Sequence, residues 1–229
     1  MKNRIRQCLV ILIFFPVLAY ATGTVSVNVG GQVIALPVPK GFQAFTEGQF
    51  FNYMDKMNSS SGIATLSALA SEEDTKIIKE GHTPKRAGII SIIKKFAAID
   101  VSQKNFDDAR AAQRKGFKQA LKNATSGSEL KELNSKVSQI QKEKEELNFH
   151  IDETPNIIID RPNAIGFVTT QDVSLKTGGK TTLSKSVLLS MSVLTHNRCL
   201  IYTITTAATP ADIVWLKSVA EDIARKLDK

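Results

Sequence analysis

Hydrophobic and polar positions change their period several times along this chain, and each change marks an element. Cys8 to Ala21 is an almost unbroken apolar run of 14 residues, preceded by Lys2, Arg4 and Arg6 and by no acidic residue. A spanning helix needs roughly 20 apolar residues; this run is shorter, carries Pro16 and closes on Ala19-Tyr20-Ala21. A cationic start, a short apolar stretch and small residues where a signal peptidase reads predict a secretory signal peptide over residues 1–21, cleaved before Thr22. A lipidated cysteine would stand at the cleavage point, whereas Cys8 stands at the start of the run.

Thr24 to Val29 alternates polar and apolar residues, Gly30-Gly31 follows, and Gln32 to Val38 resumes an apolar pattern. Two strands joined by a two-residue turn are predicted, since Gly-Gly allows the positive φ angles of such a turn. The stretch from Phe42 to Ser61 carries Phe45, Phe50, Phe51, Tyr53 and Met54, aromatics expected to cap a core. Ile63 to Ala70 reads as a short buried strand. Ser71-Glu72-Glu73-Asp74 then opens a helix that Gly81 can stop, with Ser71 as cap and acidic residues at the positive end of the dipole. Ala87 to Ile93 is apolar almost throughout and β-branched, which predicts a strand covered on both faces.

From about Ser102 to Phe149 the chain is rich in Lys, Glu, Gln and Ala, all good helix formers. A break at 123–128 divides it. The first half offers Phe106, Ala109, Phe117, Ala120 and Leu121; the second spaces Leu130, Leu133, Val137, Ile140 and Leu147 by threes and fours, with Lys144 in one seam position. This predicts an antiparallel helical hairpin, either docked on the chain's own sheet or projecting as an arm whose tip grips a partner. Further on, Ala164 to Leu175 is a strand, Lys176 to Lys180 a turn, and Ser186 to Val193 a strand with one apolar face. Thr195 to Arg198 turns the chain and Cys199 to Thr206 returns it. Thr209-Pro210-Ala211-Asp212 opens the last helix as a capping box with proline in the first turn. Ile213, Leu216, Val219, Ala220, Ile223, Ala224 and Leu227 form one stripe that must lie across a sheet. Trp215, at its edge, reads as packing.

Composition changes this picture in two ways. The chain has 229 residues and a formal charge of +8. Losing residues 1–21 removes three of those net charges and leaves 208 residues, enough for one domain with a core. The remaining charge is uneven: Lys76 to Lys118 holds 11 Lys or Arg against four acidic residues. Such a stretch is either a solvated face or a patch for an acidic partner, an envelope protein or an anionic envelope surface. Nucleic acid is not expected outside the cytoplasm. The candidate partner-binding residues are Lys94, Lys95, Arg110, Arg114, Lys115 and Lys118. Of two cysteines only Cys199 survives cleavage, so no intramolecular disulfide can form, and Cys199 reads as a buried structural thiol.

Motifs of chemistry are sparse. His82, His150 and His196 lie far apart, and no pair has helix-face metal spacing. There is no Gly-x-Ser-x-Gly elbow. Gly178-Gly179-Lys180-Thr181 resembles the end of a phosphate loop, but Ser174 stands where the first glycine belongs and a strand follows where a helix is needed. Glu72-Glu73, Asp107-Asp108 and Glu145-Glu146 are adjacent pairs, about 100° apart on a helix, and poorly placed for shared acid–base work. No catalytic residue, metal ligand or cofactor is expected.

The segment Ile34-Ala35-Leu36-Pro37-Val38-Pro39-Lys40-Gly41-Phe42, the Lys-rich middle, the turn at His196 and the closing Trp-containing helix resemble a set of uncharacterised exported bacterial proteins with a PsbP-like α/β sandwich pattern. The resemblance covers most of residues 22–229. It implies an α+β fold, a twisted antiparallel sheet with helices packed on its faces, to which the helical hairpin of about 102–149 is an insertion. Known members of that fold act mainly as accessory or binding subunits, which implies a non-enzymatic binding role. The expectation is therefore an exported, single-domain accessory protein of the bacterial envelope, periplasmic or secreted and not an integral membrane protein after cleavage. The alternatives are a hydrolase-type enzyme whose site assembles from sequence-distant residues, and a small-molecule carrier with an apolar cavity.

Overall fold

The computed structural model describes residues 23–58, 62–79, 84–124, 145–151, 156–177 and 180–227. The expected leader of residues 1–21, most of the second half of the expected helical hairpin and Gly178-Gly179 lie outside them. Strands β1 (Thr24–Val29) and β2 (Gln32–Pro37) form the first hairpin, with Val29 opposite Gln32. Gly30 and Gly31 take φ of 57° and 87° at its tip. The Gly31 amide donates to Asn28 Oδ1 (3.1 Å), which closes the turn. A Cβ on Gly30 would lie 2.4 Å from the Ala97 carbonyl oxygen, so the tip seats directly on the backbone of Ala97 and Ala98.

The remaining strands form one antiparallel sheet. They are β3 (Phe42–Phe45), β4 (Ile63–Ser71), β5 (Ala87–Ile93), β6 (Glu145–Ile151), β7 (Asn156–Arg161), β8 (Ala164–Thr177), β9 (Lys180–Thr195) and β10 (Arg198–Ala207). Their order is β3-β4-β5-β10-β9-β8-β6, with β7 also paired to β8. β6 covers Gln171–Thr177 of β8 and β7 covers Ala164–Val168, so the two follow each other along one edge. Helices α1 (Gly48–Asn58), α2 (Thr75–Lys79), α3 (Gln103–Ala124) and α4 (Pro210–Leu227) are the α-helices among the described residues. The molecule is a mixed α+β protein built on an antiparallel sheet.

Alternation decides which face of the sheet forms the core. Val187, Leu189, Met191 and Val193 of β9 lie opposite Thr206, Ile204, Tyr202 and Leu200 of β10, and all are buried. Tyr202 in turn lies opposite Ile90 of β5. Onto this face pack Val27, Val29, Ile34 and Leu36 of the first hairpin and Leu216, Val219, Ala220, Ile223 and Ala224 of α4. The buried Tyr202 hydroxyl donates to the Pro37 carbonyl (3.1 Å), tying the hairpin to the sheet. The other face carries buried Ile165 and Phe167. There Gln113 of α3 donates to Ser192 Oγ (3.0 Å), and Phe106 of the same helix is 1% exposed.

Several expectations need correction. Glu145 to Phe149, expected to belong to the helical hairpin, instead lie in a strand, Glu145–Ile151, which includes Leu147. Seven consecutive pairings to β8 outweigh the helix propensity of that Lys- and Glu-rich run. Phe42 to Ser61 contains a strand and a helix rather than aromatic caps alone. Ser71 caps a single 3₁₀ turn, Glu72–Asp74, before α2 begins. The stripe of α4 loses Ile213, which is 41% exposed. The first turn of α4 directs Asp212 inward instead, for reasons that belong to the site below.

Candidate functional site

Two connections, β2–β3 and β4–β5, meet at the end of the sheet where β3 begins, β4 ends and β5 begins. α4 crosses beside them. Between these elements lies a cleft of about 490 Å³ whose lining includes Lys40, Glu72, Glu73, Arg86, Trp215 and Asp222.

Trp215 is the centre of its wall. Phe42, buried at the start of β3, stacks on the indole with centroids 5.5 Å apart and planes 23° apart. The Arg86 guanidinium carbon lies 4.5 Å from the indole centroid, a cation–π contact. Arg86 is held at both ends. Its backbone amide donates to Asp74 Oδ2 (3.0 Å), and its Nη2 donates to Asp212 Oδ1 (3.1 Å).

Both carboxylates are themselves fixed by local capping. Ser71 Oγ donates to Asp74 Oδ2 (2.7 Å) and accepts from the Asp74 amide (3.2 Å). Asp212 accepts from Thr206 Oγ1 (2.9 Å) and Thr209 Oγ1 (2.5 Å), while its amide donates to Thr209 Oγ1 (3.1 Å). The capping box of α4 is thus extended to β10 and to Arg86. Burial alone would raise the Asp212 carboxyl, but hydrogen bonds from Thr209, Thr206 and Arg86 outweigh it and hold the group below its ordinary value. Asp222 is held low in the same way, with burial opposed by Lys226 (2.7 Å) and Arg225 (2.9 Å).

The cleft therefore presents one fixed aromatic ring, the cations Lys40 and Arg86, and the carboxylates Glu72, Glu73 and Asp222. Glu72 and Glu73 are exposed. This mixture suits recognition of a ligand that bears both signs of charge and a flat or apolar group. Among the described residues, no group of three or more His, Cys, Asp or Glu is arranged to hold a metal ion. The cleft lining contains neither histidine nor cysteine. Cys199 lies half-buried on β10, and burial pushes its thiol up, away from nucleophilic thiolate. His196 sits in the β9–β10 turn, its Nδ1 3.0 Å from Thr195 Oγ1.

The six candidate partner-binding residues fall into two groups. Lys94 and Lys95 are exposed in the 3₁₀ turn that follows β5. Arg110, Arg114, Lys115 and Lys118 lie on α3. Arg110 and Arg114 are engaged: Asp160 of β7 accepts from Arg110 (2.6 Å) and twice from Arg114 (2.7 and 2.8 Å), and Arg110 also meets Asp107 (2.9 Å). The Arg114 hydrogen bond, with support from Arg110, holds Asp160 below its ordinary value against the effect of burial. These arginines fasten α3 to β7. Lys115 is exposed one position beyond them, and Lys118 follows in the same helix.

No family model matches the chain, and no curated protein gives a significant sequence match. None of the described helices is long and apolar enough to cross a membrane.

Sequence reasoning found Thr209 and Asp212 through the capping box and read Trp215 as packing. It did not find Phe42 or Arg86 as its neighbours. Besides that capping box, the local signal of the site is the acidic start Ser71-Glu72-Glu73-Asp74, which marks one rim.

Proposed function

We propose that this chain is an exported accessory protein of the bacterial envelope that binds a short peptide segment of a partner in the Trp215 cleft. The observation that carries the reading is an indole held by Phe42 and Arg86 beside an open cleft of about 490 Å³ lined by charges of both signs. A peptide offers both signs of charge and apolar side chains within that volume. Pre-fixing the ring lowers the ordering cost of binding. The PsbP-like pattern belongs to the same reading: an antiparallel sheet with a helix on each face supports it, and the binding role implied for such proteins agrees with the cleft. The leader over residues 1–21 supports export, with Thr22 as the first residue of the mature chain.

Trp215 is the chain's single tryptophan, so its emission reports on this cleft alone. Ser218 lines the cleft and is exposed, which makes it a position for a photo-crosslinking side chain. Irradiation in cells is expected to give one dominant adduct with an envelope protein. The adduct should be lost in the variant Glu72→Lys/Glu73→Lys, which changes only exposed rim charges. No adduct, or an adduct indifferent to that reversal, would count against the cleft as the binding site.

A further inference from the structure

Lys94-Lys95-Phe96-Ala97-Ala98-Ile99 opens the connection from β5 to α3, six residues ahead of its one acidic residue, Asp100. It is an ordered platform. The Ala97 amide donates to the Lys94 carbonyl (3.2 Å), the Ile99 amide to the Phe96 carbonyl (3.1 Å), and the Lys94 amide to Gly62 (2.8 Å). The tip of the β1–β2 hairpin supports it from beneath through Gly30. Yet its large apolar side chains face outward: Phe96 is 40% exposed and Ile99 51% exposed. Val33, one rung behind the hairpin tip, is 75% exposed. Lys95 Nζ lies 4.9 Å from the Phe96 ring centroid. The next residue, Asp100, is exposed and paired with Arg198.

We propose that this platform docks the protein on an anionic lipid bilayer, with Phe96 and Ile99 entering the headgroup boundary and Lys94 and Lys95 meeting the lipid phosphates.

Two features favour a bilayer over an acidic protein. The lysines are point charges on long flexible stems, suited to a diffuse field, whereas fixed pairing with carboxylates favours arginine. The arginines of this region, Arg110 and Arg114, are already taken by Asp160. The exposed apolar residues also sit on and beside a tight turn, with basic stems alongside that can snorkel to the headgroups. The arrangement has a consequence for the cleft. Arg86 immediately precedes β5 and Lys94 immediately follows it, so the seven residues of that strand separate the two surfaces. At the usual rise this is roughly 20 Å. A molecule resting on the platform would hold its cleft away from the lipid and open to a partner.

The test uses the chain as it accumulates in the cell and vesicles of phosphatidylglycerol and phosphatidylcholine in equal parts, against vesicles of phosphatidylcholine alone. Binding to the anionic vesicles only is expected. Lys94→Gln/Lys95→Gln should weaken it about 25-fold, taking about fivefold for each lysine near the surface. Phe96→Ser/Ile99→Ser should weaken it several-fold while keeping a native circular dichroism spectrum. Phe96→Trp in a Trp215→Phe background places the single tryptophan on the platform. Its emission should shift to the blue on anionic vesicles and be quenched by lipids brominated in the acyl chain. Equal binding to both vesicles, or binding indifferent to the lysine change, would overturn the proposal. So would a platform tryptophan that is neither shifted nor quenched, which would assign the lysines to an acidic protein surface instead.

Discussion

Asp212 shows how one side chain can set the acid limit of the molecule. Its carboxylate is buried at the start of α4 and accepts from Thr206, Thr209 and Arg86. A carboxyl held low in the folded state takes up its proton more readily when unfolded. Its contribution is therefore complete above the unfolded value near 3.8 and is lost as pH falls through the lower folded value. Asp160 and Asp222 are held low too and act in the same direction. Asp212→Asn should lower stability at neutral pH by about 1–3 kcal/mol, because a charged acceptor of three hydrogen bonds is replaced by a neutral one. It should also flatten, without abolishing, the fall in Tm between about pH 5 and pH 2. Thermal melts across that range check both; parallel curves for the two proteins would refute the linkage. Gly30 offers a second residue-scale test. It combines φ of 57° with a 2.4 Å approach to the Ala97 carbonyl oxygen, whereas Gly31, at 87°, faces open space. Gly31→Ala carries backbone strain alone, about 1–2 kcal/mol. Gly30→Ala must also push the hairpin off the platform, so its urea midpoint should fall further; equal midpoints would mean the tip is not seated on Ala97.

Among the elements, legibility followed periodicity. β9, β10 and α4 were readable because each buries one face or stripe against one neighbour, and the sequence repeats at 2.0 or 3.6 residues accordingly. α1 was not, because none of its residues is buried, so no core-facing run marks it in the sequence. β6 misled for a tertiary reason: Glu145 and Glu146 favour helix, yet the strand is held by its register on β8. The cleft was hidden for a simpler one. Arg86 and Asp212 are 126 residues apart and Phe42 lies still further from Trp215, so only the folded sheet brings them together. α3 carries its own prediction. Gly116 stands inside it, and a Cβ there would meet nothing within 4 Å. Gly116→Ala should therefore stabilise the protein by about 0.5–1 kcal/mol, by removing the conformational entropy that glycine loses in a helix. A raised urea midpoint with an unchanged slope is the expected result. A lowered midpoint would show that the helix does not run undistorted past its anchor at Arg114.

At the scale of the whole molecule, the two ends of β5 divide the labour proposed for it. One end carries the ring, the charges and the volume of a binding cleft. The other carries lysines and exposed apolar side chains on a rigid turn. Both proposals place the protein against an envelope, so both depend on export, and export depends on the leader. A signal peptidase accepts small side chains at two positions, which Ala19 and Ala21 supply in the proposed leader. The accumulated protein should begin at Thr22 and its mass should lack residues 1–21. Ala19→Arg/Ala21→Arg puts two bulky cations where the enzyme needs small residues. That variant should stay at full length and fractionate with the membrane, held by the apolar run from Cys8 to Leu18. Intact-mass measurement and cell fractionation decide the matter together. A full-length chain in the soluble fraction of the unaltered protein would remove the export premise, and with it the lipid surface and partner that the two ends of β5 are proposed to meet.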